Sequence, residues 1–204
     1  MHLMLMFSII HLEQYLILSY FQNFYGTVDF TERILPLLTD NGKIVTVGSS
    51  AGKMSFNRIQ NEEIKNRFKN PNLTKEELYK LVEEFKDAIA KGEVEQRGWP
   101  KWIYGISKLG INLYCTILSQ NEEILKRGIQ VYSCCPGYVA TDMTSHKGTL
   151  TIDQGIKTPV HLIELPFEIN KELQGGFFQR EKLSSTFVDV QWLFIGNDFL
   201  MINF

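Results

Sequence analysis

Tyr104 and Lys108 stand four residues apart in the run Trp102-Ile103-Tyr104-Gly105-Ile106-Ser107-Lys108. On a helix that spacing puts both side chains on one face, so an ammonium comes to lie beside a phenol. A free phenol titrates near pH ~10 and exchanges protons poorly at neutral pH. A fixed cation beside it favours the phenolate and makes it a group able to pass a proton to or from a carbonyl oxygen. Taken alone, the pair fits an ordinary surface helix as well. Three hydroxyls elsewhere, Ser49 and Ser50 upstream and Thr141 downstream, supply the rest of a candidate constellation.

The segments around those hydroxyls define the elements that must hold them. Gly42-Lys43-Ile44-Val45-Thr46-Val47-Gly48-Ser49-Ser50-Ala51-Gly52 is a short β-branched run that ends in small polar residues. It fits a buried parallel strand delivering hydroxyls at its C-terminal edge, where open α/β sheets place their ligands. Gly128-Ile129-Gln130-Val131-Tyr132-Ser133-Cys134-Cys135 fits a second such strand, broken by Pro136-Gly137 and continued by Tyr138-Val139-Ala140-Thr141. Two strands around one helix make a βαβ unit. The expected strands are Ile44 to Val47, Gln130 to Cys134 and, further on, Gly176 to Gln179. The helix after Ile103 packs across them, and Ser49, Tyr104 and Lys108 meet in one crevice.

Taken together, Asn23-Phe24-Tyr25-Gly26-Thr27, Leu35-Pro36-Leu37-Leu38, Ile44 to Ser49, Gly98-Trp99-Pro100, Tyr104 to Lys108 and Cys134 to Met143 resemble the short-chain dehydrogenase/reductase family, and within it the monomeric carbonyl reductases. The resemblance runs from about Gln22 to Lys182. It implies a partial doubly wound, Rossmann-type α/β sheet. It also implies a catalytic tetrad of Asn23, Ser49, Tyr104 and Lys108, with Ser50 a near alternative to Ser49. In that family Tyr104 is the general acid and Ser49 binds the substrate carbonyl. Lys108 holds the nicotinamide ribose, and Asn23 positions a water. Pro136, Gly137, Val139, Ala140 and Thr141 fall in the cofactor-contacting segment. Tyr138 falls where relatives place a bulky substrate-pocket residue, although a plain core aromatic fits it equally. The hydride comes from the cofactor; NADPH, rather than NADH, rests on the resemblance alone.

The family's Gly-rich phosphate turn, its cofactor-selecting residues and its Asn-Asn-Ala-Gly segment have no counterpart in the sequence. Residues 1–40 contain one glycine, Gly26, and the family pattern needs roughly 90 more residues ahead of Asn23. The expectation is therefore a truncated domain over residues 1–182. Met1 to Phe21 is apolar but interrupted by His11, Glu13 and Gln14. It is expected to be a helix merging into the one that carries Asn23, or a degenerate signal or anchor, its first uninterrupted run being too short to span a bilayer.

Residues 57–101 are charge-rich and fit a helical hairpin inserted before Tyr104. Asn61 to Phe68 makes one helix, and Thr74 opens the next in a capping-box pattern with Glu77. Leu78, Leu81, Val82, Phe85 and Ile89 recur at helical spacing. The resemblance implies that this hairpin covers the face other family members use to associate, hence a monomer once the missing half is supplied. With 204 residues and a net charge of −2, the chain fits one globular domain without a nucleic-acid footprint. Its three cysteines and four histidines show neither a disulfide framework nor metal-ligand spacing. Cys134 and Cys135 are expected as buried strand residues, and no membrane span and a cytoplasmic location are expected. Residues 183–204 form a divergent aromatic tail. Two functions compete: NADPH-dependent reduction of small carbonyl compounds to alcohols, and a catalytically inactive fragment or interaction protein.

Overall fold

The computed structural model describes residues 22–184, and by backbone alone 191–195 and 198–202; the expectations for residues 1–21 lie outside these. A π-helical turn, Gln22–Gly26, runs into helix α1, Thr27–Ile34. Strand β1, Lys43–Val47, follows and leads directly into α2, Ser50–Arg58. Helices α3, Glu62–Phe68, and α4, Lys75–Ala90, precede the long α5, Ile103–Ser119, and the short α6, Glu122–Lys126. Then come β2, Gln130–Cys135, two helices α7, Ile152–Gly155, and α8, Lys157–Glu164, and strands β3, Phe177–Gln179, and β4, Lys182–Ser184. Strands β5, Gln191–Ile195, and β6, Asp198–Ile202, form a separate antiparallel pair.

The main sheet has the order β1-β2-β3-β4. β1 and β2 are parallel, with Lys43 opposite Gln130 and Val47 opposite Cys134, and β2 and β3 are also parallel. The expected strands and their adjacency are therefore as observed, and the architecture is the partial doubly wound α/β sheet. After β3 the chain turns back at Arg180 and Glu181, which have φ of 53° and 59°, and returns antiparallel as β4, a strand the sequence did not announce. Two consecutive residues of positive φ suit the twist of a tight hairpin. The boundary expected after Lys182 thus falls inside β4.

β2 is the spine of the sheet, and all six of its residues are buried. Alternation divides them: Val131 and Cys135 join the main core with α4 and α5, while Tyr132 and Cys134 join Leu162 and Phe178 beneath α8. Helices on both faces explain why this strand is apolar throughout rather than alternating. β1 was expected to be equally buried, yet its residues are only partly so and Val47 is 50% exposed. Among the described residues no strand pairs with its free edge.

The inserted hairpin is more than a solvated appendage. Leu78, Leu81, Val82, Phe85 and Ala88 are buried on one side of α4, and Phe85 stacks on the buried Trp99 at 5.1 Å between ring centroids. Tyr79 packs on Phe24 and Tyr25 at 5.3 and 5.4 Å, which ties α4 to the π-helical turn. The capping box forms only in half. Thr74 Oγ1 accepts from the Glu77 amide, but the Glu77 carboxylate turns to Arg67, which also binds Glu84 through two bonds of 2.7 Å. A guanidinium fork offers a carboxylate stronger, charge-assisted bonds than a lone amide does.

Phe85→Ala is expected to destabilise the chain by about 3–5 kcal/mol, since it leaves a cavity at a fully buried aromatic. Thr74→Ala is expected to cost only about 1 kcal/mol, the worth of an N-cap. Urea unfolding followed by circular dichroism gives both values.

Candidate active site

The turn from β1 into α2 carries the candidate serines. Ser49 is extended, with φ of −165°, and is the N-cap of α2, its Oγ accepting from the Ala51 amide at 3.1 Å. Capping uses the hydroxyl as an acceptor and leaves its O–H free to donate. Ser50 lies within the first turn of the helix, where its Oγ meets Cys135 Sγ at 3.7 Å. The two neighbouring hydroxyls thus have different surroundings.

Helix α5 carries Tyr104 and Lys108 and sends Lys108 to the end of β1. Gly105 allows the close approach of α2 to α5: a Cβ there would lie 1.9 Å from Ser55 Oγ. Tyr104 is 40% exposed, and the Lys108 ammonium stands 5.8 Å from the centre of its ring. Lys108 Nζ donates to the carbonyl oxygen of Val47 at 3.1 Å. The lysine therefore bridges from the phenol to the end of β1, two residues before Ser49. Burial disfavours its charged form and pulls its pKa below the usual lysine range, with the neighbouring Cys135 as a smaller opposing influence.

Asn23 sits in the π-helical turn, a widened backbone often found at functional sites. Its Nδ2 donates to Ser107 Oγ at 3.3 Å, and Ser107 Oγ donates to the Tyr104 carbonyl at 2.8 Å. Asn23 is thereby joined to the turn of α5 between Tyr104 and Lys108.

Beyond β2, Gly137 adopts φ of 87°, where a Cβ would also strike the Leu150 side chain at 2.4 Å. The segment Tyr138 to Thr141 then runs beside Leu150, with hydrogen bonds from Ala140 N to Leu150 O and from Leu150 N to Tyr138 O. Thr144 closes it: its Oγ1 accepts from Thr141 N and donates to Val139 O at 2.7 Å. Tyr138 is 52% exposed, which removes the reading of it as a core aromatic. Cys134 is buried and its thiol is pushed up to about 12 by that burial; Cys135 is also buried, at 5% exposure. Among the described residues, no group of His, Cys, Asp and Glu could hold a metal ion and no helix is long and apolar enough to cross a membrane.

Sequence reasoning missed two residues that shape these segments. Thr144 is one; its signal was its place three residues after Thr141. Asn112 is the other, with its Nδ2 on the Ser49 carbonyl at 3.0 Å. Its signal was its position four residues beyond Lys108 on the Tyr104 face, in an otherwise apolar part of the helix.

The chain is 34% identical over 163 residues to carbonyl reductase [NADPH] 1 of Mus musculus, an alignment covering 79% of the chain and 58% of that relative. The chain is a homologue of the carbonyl reductases. Carbonyl reductase [NADPH] 3 of Rattus norvegicus is 35% identical over 166 residues, covering 80% of the chain and 59% of the relative. The structure of salutaridine reductase from Papaver somniferum superposes with a TM-score of 0.72 at 28% identity, covering 81% of the chain and 55% of the other. Menthone neomenthol reductase from Mentha piperita does so with a TM-score of 0.64 at 26% identity, covering 82% of the chain and 52% of the other. No family model matches. The carbonyl reductase homologue therefore shares its fold with two solved reductases over about four-fifths of its length. It spans little more than half the length of the relatives it matches.

Because Lys108 carries its charge partly desolvated, its folded pKa lies below the unfolded one. The group costs stability in full below its folded pKa, and that cost fades as pH rises from the folded value and is gone above the unfolded one. Lys108→Met is expected to melt no lower than the parent at pH 7. The 13Cε signal of Lys108, followed by NMR, is expected to titrate below the usual lysine range. Ser49→Ala, which removes a cap, is expected to cost about 1 kcal/mol.

Proposed function

We propose that the chain carries the catalytic part of an NADPH-dependent carbonyl reductase, acting on small ketones, aldehydes or quinones. The observation that supports this most is the bridge made by Lys108, from the Tyr104 ring to the Val47 carbonyl at the C-terminal end of β1. That end of an open parallel sheet is where ligands bind, and the bridge supports the reading that the phenol, the ammonium and the Ser49 turn serve one site.

The residues present fit the nicotinamide end of the cofactor. Lys108 Nζ has three donors and spends one on Val47 O, leaving two for ribose hydroxyls. Pro136, Gly137, Val139, Ala140 and Thr141 form a segment fixed by Leu150 and Thr144, which suits contact with the nicotinamide ring and its amide. When bound, the cofactor supplies a hydride to the carbonyl carbon. Tyr104 then gives its phenolic proton to the carbonyl oxygen, so that C=O becomes CH–OH. Ser49 donates its free O–H to the same oxygen as negative charge develops there. Lys108 stabilises the phenolate left on Tyr104. Asn23 holds the turn between Tyr104 and Lys108 through Ser107, and the resemblance assigns it the placing of a water that would link Lys108 to solvent. Tyr138, exposed beside this segment, offers an aromatic wall to the substrate. The inserted hairpin, packed over α5 and the π-helical turn, favours a monomer.

Ahead of β1 the glycines among the described residues are Gly26 and Gly42, and neither belongs to a Gly-rich turn. Lys108, Val139 and Thr141 would contact the nicotinamide half alone. Losing the other half forfeits orientation of the donor, worth up to ~7–11 kcal/mol of barrier.

Titration of NADPH fluorescence is therefore expected to show weak binding by the 204-residue chain. Joining an N-terminal half that carries a Gly-rich phosphate turn is expected to restore affinity together with reduction of menadione. In that joined form, Tyr104→Phe lowers kcat by ~10²–10⁴ while NADPH affinity stays unchanged. Turnover that survives Tyr104→Phe removes Tyr104 as the acid, whereas no turnover after joining supports the inactive or interaction reading instead.

A further inference from the structure

Asn112 is 1% exposed and stands on α5 one turn beyond Lys108 and two beyond Tyr104. Its Nδ2 donates to the Ser49 carbonyl at 3.0 Å. The neighbours of Ser49 are cut away to admit it. A Cβ at Gly48 would lie 1.9 Å from Asn112 Oδ1, and a Cβ at Gly52 would lie 2.9 Å from Nδ2. The amide therefore fills a slot between two glycines, with Ser49 held against it. Its Oδ1 is buried and has no hydrogen-bond partner, aimed at the Gly48 Cα hydrogen, a weak contact. An acceptor buried in this way costs stability, so a residue serving only to fill space gains nothing by being an amide. What the amide supplies is the donor to Ser49. Tyr104, Lys108 and Asn112 thus form one face of α5 in which the first is the proposed acid, the second grips Val47 O and the third grips Ser49 O.

We propose that Asn112 is a positioning residue that fixes the β1-to-α2 turn, and with it the direction of the Ser49 hydroxyl. Ser49 has two oxygens, and both are tied: its carbonyl to Asn112 Nδ2, its Oγ to the Ala51 amide. With both held, the direction left to its O–H is restricted to the open side of the turn. The inference rests on the reading of Ser49 as the hydroxyl that binds the substrate carbonyl, since only then does its orientation bear on chemistry.

The test is NMR on the isotopically labelled full chain, reading the Ser49 resonances and hydrogen exchange of the Ala51 amide. Three variants are compared with the parent. Asn112→Asp keeps the volume but, when ionised, has no donor. Asn112→Ala removes the side chain. Gly48→Ala leaves every polar group in place and drives a methyl against Oδ1. The expected result in each is a shift of the Ser49 signals and roughly tenfold faster exchange at Ala51, while the α4 amides keep their protection. Ser49 and Ala51 signals equal to the parent's in Asn112→Asp and Asn112→Ala overturn the proposal. So does global loss of protection in all three, which would make Asn112 a residue of core stability alone. The outcome is separate from that of the proposed activity. If Ser49→Ala in the joined form leaves turnover unchanged, the role of Ser49 in catalysis fails, whereas the grip of Asn112 on the turn is still decided by exchange.

Discussion

One face of a single helix holds the end of a single strand, and the candidate site depends on that grip. Lys108 and Asn112, one turn apart on α5, reach carbonyls two residues apart on the chain leaving β1. The match is geometric. A helix advances about 1.5 Å per residue, so i and i+4 are separated by ~6 Å, close to the ~6.6 Å between alternate residues of an extended strand. A helix laid beside a strand end can therefore bond it at two points in step.

The rest of the structure holds α5 in place for this purpose. Twelve of its seventeen residues are buried, with α2 against one side and α4 against another. Gly105, Gly110 and Gly52 let those neighbours approach, since a side chain at Gly110 would meet the Phe24 ring at 2.7 Å and one at Gly52 would meet the α5 backbone at 2.8 Å. Beneath it, β2 carries core on both faces. The inserted hairpin extends the same apolar layer through Phe85 and Trp99 and braces the π-helical turn that carries Asn23. Rigid support of this kind is what a reacting constellation needs, because small errors in placement raise barriers steeply.

Much of this was legible in the sequence for identifiable reasons. The β-branched runs marked β1 and β2, because continuous apolar residues bounded by glycine fit few alternatives. The apolar stripe from Leu78 to Ile89 marked α4. Tyr104 and Lys108 share a face because spacing alone dictates it. What escaped was whatever depends on partners distant in sequence. Helix α2 was hidden because Ser49-Ser50-Ala51-Gly52 has the composition of a turn, and its start is settled by a cap hydrogen bond. The β3–β4 hairpin was hidden because Arg180 and Glu181 are not the residues usually seen at positive φ. The reciprocal half of the cap at Thr74 was lost to Arg67, seven residues upstream. Asn112 looked like one polar residue in a buried helix until Ser49, sixty-three residues earlier, was set against it.

The slot between Gly48 and Gly52 has a consequence for how such a sequence can drift. Neither glycine can gain a side chain while the amide occupies the space between them, and the amide can shrink only by giving up the carbonyl it holds. The three positions are therefore locked to one another: a neutral path through sequence space must change them in concert, through an intermediate that is worse than either end. Residues 48, 52 and 112, drawn from a strand end, a helix start and a second helix, behave as one inherited unit, whose history a comparison of diverged copies would record as correlated substitution.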